Sequence, residues 1–444
     1  MDPTDARIDE WIRTHIGGTV VGMRRQARWR PVWFVDVERD GERLDVMVRG
    51  DRTDAAPLFP LEHEMRFQEL LEEDGIPVPH VYGWCDEPRA FVTAAVGGSN
   101  NFERSTDDER AAVMDEYMGI LARIHQLDLE PYARAGITRA ATPSGSGRVG
   151  LDVYVAGYRA TKVRPDPFLE FCLAWIDRNP VDTQGRESPI VWDSGQFHHQ
   201  DGHVTAILDL ELGHLGDPMM DLAAFRMRDT VLGFGDMNAL YDQYAKHSGA
   251  PVDLEAIMHH HFVFALTNQM VFHAALAAPP AASDYMTNMQ WASETNLFAL
   301  EGLAEILGVD ELDTVEMPEP RDSPVAQAHE HLVRSLRSLD LADEYERHQL
   351  RIAFRLARHL QRFDEIGDAC TDADLDDLHA FLGRRPATWQ EGDAALEEFV
   401  LTDGGAHDEE LLQLFHRRYL RYKMLCGPAG SAMARHEPIQ KFRP

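Results

Sequence analysis

Residues 191–225 read VWDSGQFHHQDGHVTAILDLELGHLGDPMMDLAAF, and they hold the densest set of groups able to do chemistry. Asp193 and Asp209 each close a predicted short strand, and the strand pair between them turns at Asp201-Gly202. An Asp-Gly turn folds such a pair back on itself, which returns the two carboxylates to one region. Paired carboxylates beside a neutral amide, here Gln196, offer oxygen ligands to Mg2+ and a base for a hydroxyl proton. On pattern alone a plainer reading stands beside this one, because acids also finish strands simply to be solvated.

The elements that must position these groups fall into three stretches. Residues 19–48 alternate as strands (TVVGM, PVWFVDV, RLDVMV), with the turn RDGE between the last two. LEHEMRFQELLEEDG follows as a helix closed by Gly75, and AFVTAAV at 90–96 is a further strand ending at the hinge Gly97-Gly98. This order predicts a small α+β lobe over residues 1–96. From residue 105 the texture is helical, broken only at 189–209, and defines a lobe over 97–312. A proline-rich acidic linker, TVEMPEPRDSP, precedes a third helical region at 325–444. Its residues Leu350, Ile352, Phe354, Leu356 and Leu360 must be buried against something. Docking on the preceding lobe is expected, and a homodimer contact belongs to the same reading. Among the histidines, His259-His260-His261 on a helix point in different directions and suggest a surface or partner role. Tyr154, Tyr158, Arg226 and Arg228 are candidates for a substrate wall.

The stretch VTAILDLELGHLGDPMMDLA at 204–223 resembles the segment after the catalytic loop in the aminoglycoside phosphotransferase and choline kinase-like superfamily. Relatives read approximately V-T-A-V-I-D-W-E-x-A-x-x-G-D-P-x-x-D-L-A, and the resemblance covers roughly residues 15–310. It implies a protein-kinase-like two-lobe α+β fold, with the C-terminal all-helical region as an addition. It also implies an ATP-dependent (or GTP-dependent) kinase that uses Mg2+ and phosphorylates a small-molecule hydroxyl. Carried over, Asp193 is the catalytic aspartate and Asp209 the metal-binding acid. Asp217 and Asp221 brace the loop. Arg49 on the third strand, paired with Glu64 (Glu62 is the neighbour), holds the nucleotide phosphates. Arg28 and Arg30 could cover phosphates or form a solvated basic turn, and the backbone of Ala94, Ala95 and Val96 meets the purine. Two departures stand out. Val191 and Trp192 occupy the histidine and glycine positions before the catalytic aspartate, and the loop is shortened. The amide three residues on, Gln196, is the expected Mg2+ ligand with Asp209; His198 is the rival, but imidazole suits Mg2+ poorly. The style of the segment is nearest to a subgroup associated with acyl-CoA dehydrogenases, which implies a hydroxyacyl-CoA or hydroxy acid as acceptor over an aminoglycoside-like alcohol. The alternative is a catalytically inactive kinase-like binding protein, motivated by the missing histidine and the short loop.

Composition sets outer limits. The chain of 444 residues has 43 basic and 75 acidic residues, a net charge of −32. Such a surface repels phosphate backbones and anionic lipid, so neither nucleic acid nor membrane is expected as a partner. No apolar run reaches the ~20 residues of a membrane helix. The four widely spaced cysteines suit reduced, buried thiols, and with an acidic N-terminus they point to the cytoplasm. Only Lys162, Lys246, Lys423 and Lys441 are lysines, so any cation needed earlier in the chain is Arg or His.

Overall fold

The computed structural model describes residues 3–26, 30–51, 57–281, 283–426 and 436–442. It opens on a helix absent from the sequence reading, α1 (Pro3–His15). Ile8 and Ile12, one turn apart, seat α1 against Val35, Val37, Val46 and Val48 of the sheet. That sheet comprises β1 (Thr19–Arg25), β2 (Val32–Arg39), β3 (Glu42–Gly50), β4 (Val81–Cys85) and β5 (Ala90–Ala94), with α2 (Leu61–Glu73) preceding β4 in the chain. Its order is β1-β2-β3-β5-β4, every pairing antiparallel. Because strand side chains alternate, packing Val46 and Val48 against α1 sends Arg49 to the opposite face. There it meets α2, whose buried Glu64, Phe67, Gln68 and Leu71 share one stripe.

The chain continues through α3 (Asp107–Ile124), α4 (Leu129–Arg134), α5 (Val149–Thr161) and α6 (Pro167–Arg178). Short strands β6 (Ser188–Ile190), β7 (Phe197–Gln200), β8 (His203–Ile207) and β9 (His214–Gly216) follow. The β7–β8 hairpin turns at Asp201 and Gly202, both with positive φ (51° and 80°), the backbone that a two-residue hairpin loop requires. Then come α7 (Met219–Leu232), α8 (Met237–Ser248), α9 (Leu254–Ala265), α10 (Thr267–Ala277) and α11 (Tyr285–Leu307). The last helices are α12 (Ala326–Ser338), α13 (Glu344–Leu382), α14 (Trp389–Thr402) and α15 (Asp408–Cys426).

Two compact units result. The first holds the described residues of 1–153 and 182–257 together with Phe442; the second holds those of 154–181 and 258–441. This grouping differs from the expected boundaries at 312 and 325. Within the second unit α15 lies along α11 and α14 along α6. Phe168 of α6 meets Phe415 and Tyr419 of α15, with ring centroids 5.3 and 4.8 Å away. The helices after the linker bury their apolar faces on helices before it and so form one body with them. The stripe itself needs correcting. Leu360 is 48% exposed, while Ala357, His359, Ile366, Cys370, Leu375 and Leu378 form the buried side of α13. The even-numbered residues 350–360 wrap around a helix and cannot share a face. His260 and His261 are likewise buried, not at the surface, since α9 is apolar on nearly every side.

Candidate active site

Asp193 lies on the loop between β6 and β7, and α7 holds that loop. The Asp221 carboxylate accepts the Val191 and Trp192 backbone amides at 3.1 and 2.6 Å, and the Ser194 hydroxyl donates to the Asp221 carbonyl. Asp221 also meets His125 Nε2 at 3.0 Å, whose other ring nitrogen faces the Tyr244 hydroxyl. Asp217 takes a two-pronged bond from Arg186, 3.0 Å on each arm. Asp221 therefore braces the loop, while Asp217 anchors Arg186 ahead of β6. Trp192, in the position a glycine was expected to fill, has φ +56° and a fully buried ring. Gly150 makes the room: a Cβ there would stand 2.1 Å from the indole. His214 meets the other side of the ring edge-on at 5.2 Å.

Asp209 follows β8, also at positive φ (59°), and turns its carboxylate toward the loop. The Gln196 amide nitrogen donates to Asp193 Oδ2 at 2.7 Å and to Asp209 Oδ2 at 3.1 Å. The Gln196 backbone carbonyl accepts the Leu208 amide at 2.9 Å, tying the two strands' ends together. The acids and the amide predicted from spacing thus meet. Arg49 Nε lies 2.8 Å from Glu64 Oε1, and its Nη2 bonds Asp209 Oδ1. Burial works against the Arg49 charge, but Glu64, Asp209 and Glu211 outweigh it and raise its pKa. For Asp193 burial acts first and lifts its carboxyl above the ordinary carboxylate value, opposed by Arg228.

Other expectations fare differently. His198 turns its Nδ1 to the Val96 carbonyl at 3.3 Å. The Ala94 amide donates to the His80 carbonyl and the Ala95 amide to Asp45, which leaves neither N–H for a purine. Arg28 lies outside the described residues. Arg30 is not a solvated turn: it is buried, 3.2 Å from Glu64 and bonded to Glu211. Arg226 is buried beneath the Phe442 ring, 4.1 Å from its centroid, and Tyr158 is buried and donates to Glu170. Of the suggested wall, Arg228 reaches the site, where it grips Asp193. Glu211 was missed, although the spacing D-L-E placed a second acid two residues beyond Asp209.

A cation on the third strand, held by a helix glutamate and facing a loop aspartate across a hairpin, is the arrangement of a protein-kinase-like fold built for phosphoryl transfer. Residues 26–257, a little over half of the chain, match the phosphotransferase enzyme family APH, and the chain belongs to that family. Among curated relatives it is 27% identical over 176 residues to acyl-CoA dehydrogenase family member 11 of Rattus norvegicus, covering 37% of this chain and 22% of that one. It is 24% identical over 227 residues to acyl-CoA dehydrogenase family member 10 of Mus musculus, covering 43% and 20%. The chain thus spans about a fifth of the length of the curated relatives it matches. A similar solved structure is the macrolide 2'-phosphotransferase MphH from Brachybacterium faecium, at 19% identity and TM-score 0.47 over 66% of this chain and 97% of that one. Among the described residues, no helix is long and apolar enough to cross a membrane, and all four cysteines are free and buried.

Proposed function

We propose that this chain is an ATP-dependent kinase, with GTP as the alternative nucleotide, that phosphorylates the hydroxyl of a small molecule. The observation that carries the reading is the convergence of Asp193, Gln196 and Asp209 within hydrogen-bond distance, with Arg49 linking Asp209 to Glu64. In this reading Asp193 orients the acceptor hydroxyl and takes its proton as its oxygen bonds the γ-phosphorus, the bond to the β,γ-bridging oxygen breaks and the nucleoside diphosphate leaves. Arg49 offers a planar fork to phosphate oxygens, and Glu64 keeps that fork directed. Purine contacts fall to the backbone at Val96, since the Ala94 amide is committed to His80.

Gln196 and Asp209 fit Mg2+. Asp209 Oδ2 and the Gln196 side chain face each other at 3.1 Å, and half a turn of the amide presents its carbonyl oxygen instead of its nitrogen. Among the described residues no group of three or more His, Cys, Asp or Glu could hold a metal. Two protein ligands completed by phosphate oxygens and water are what Mg2+ accepts. When bound, the ion would neutralise charge on the transferring phosphate.

For the acceptor, we favour a hydroxyacyl-CoA or hydroxy acid over an aminoglycoside-like alcohol, supported by the likeness to acyl-CoA dehydrogenase family members. The test is to offer the full chain MgATP with 3-hydroxybutyryl-CoA, free 3-hydroxybutyrate and hygromycin B, and to follow products by mass spectrometry. A phosphorylated acyl-CoA or hydroxy acid, lost in Asp193→Asn, is the expected result. Nucleotide binding without transfer to any acceptor would favour a ligand-binding protein instead.

A further inference from the structure

Helix α7 turns two charged side chains toward the same loop. Asp221 and Arg228 stand seven residues apart, about two helical turns, and so share a face. Asp221 takes the backbone amides of Val191 and Trp192. Arg228 takes the next residue's side chain: Nε donates to Asp193 Oδ1 at 2.9 Å, and Nη2 reaches Oδ1 and Oδ2 at 2.6 and 2.5 Å. Phe225, between them on the helix, stacks on Phe234 at 4.4 Å and on Tyr117 at 5.7 Å. The Tyr117 hydroxyl in turn accepts the Gly195 amide at 2.6 Å. A Cβ on Gly195 would lie 3.2 Å from Arg228 Cβ, so the loop rests directly on the arginine's stem.

We propose that Arg228 is the positioning residue of the site, fixing the plane of the Asp193 carboxylate from α7. A carboxylate on so short a side chain turns easily about its terminal torsion. With Arg228 touching both oxygens and Gln196 donating to Oδ2, that freedom is removed. The fork is essential to the argument, because a lysine at 228 would keep the charge but could not define a plane. The catalytic meaning of this role rests on the phosphotransferase reading above; the geometric role does not.

The experiment compares Arg228→Met and Arg228→Lys in the full chain, with circular dichroism to establish folding. Hydrogen–deuterium exchange over residues 191–196 needs no turnover. Faster exchange there in the Met variant, with α3 and β8 unchanged and the Lys variant intermediate, is the expected outcome. Should the Met variant not fold, the Lys variant carries the same comparison. Exchange identical to wild type in the folded variants would overturn the proposal. With MgATP as the probe and water as the acceptor, kcat falls by about 10²-fold in the Met variant while KM for MgATP holds, as expected for a misplaced reacting group. A raised KM with kcat preserved would overturn it too, by placing Arg228 among the nucleotide contacts. Loosened exchange in the Met variant, together with a wild-type protein that transfers phosphate to none of the acceptors offered above, would refute the phosphotransferase reading and leave the positioning role standing.

Discussion

Arg49 serves two partners at once. Its Nε faces Glu64 and its Nη2 bonds Asp209, so the guanidinium is already paired within the protein. A phosphate reaching it exchanges one anion for another, which limits the net gain from a buried ion pair. Arg49→Ala is expected to weaken nucleotide binding by about thirtyfold, a loss on the order of 2 kcal/mol. Glu64→Ala weakens it through the same contact, so the double variant loses less than the two single losses combined. A coupling near zero in that cycle, measured by calorimetry, would separate the residues. At Asp209 the prediction is about the metal: Asp209→Asn keeps the fold by circular dichroism but loses the Mg2+-dependent part of ATP affinity. Equal Mg2+ dependence in both proteins would remove Asp209 from the ligand set.

The loop and the helix that carries it depend on fits that lie far apart in the chain. Trp192 occupies a left-handed backbone position and fills the space over Gly150. Gly150→Ala drives a methyl into the indole, and overpacking of this kind costs about 1–3 kcal/mol. A lowered Tm together with impaired turnover is the expected result, and an unchanged Tm would show that the ring has room to move. The same distances explain what the sequence made legible. The meeting of Asp193, Gln196 and Asp209 follows from a period-2 hairpin and an Asp-Gly turn, all local. Arg49 and Glu64 follow from the family resemblance. Arg228 does not, because thirty-five residues separate it from Asp193 and no spacing rule links them. The basic turn left Arg30 open between covering phosphates and facing solvent, whereas Glu64 and Glu211, brought together only by the fold, make its burial tolerable. Helix α1 escaped because thirteen residues with two aliphatic anchors give too weak a period.

At the scale of the whole molecule, stability is divided between groups with opposite pH responses. In the second unit His436 stands 2.9 Å from Glu294 and 2.6 Å from Glu301; burial works against its charge, but the glutamates push it up to about 9. A raised histidine contributes fully below the unfolded value of about 6.5, and that contribution is lost as pH climbs through about 9. The Tm advantage of wild type over His436→Gln should therefore shrink across that window; a constant difference would contradict it. In the first unit His214 behaves oppositely, since burial lowers it to about 4 and its contribution is lost as pH falls from about 6.5. Truncation after Pro318 would uncover α6 and α11, which α14 and α15 cover, and is expected to yield aggregates by size-exclusion chromatography. A monodisperse product of full thermal stability would make that covering dispensable. The scarcity of lysine has a practical consequence. With Arg49 as the proposed nucleotide contact, reagents that tag nucleotide sites by acylating an amine from an activated phosphate meet a protonated guanidinium there, and the first lysine of this sequence is Lys162. On that reading, surveys that detect kinases through such covalent labelling would pass over this site.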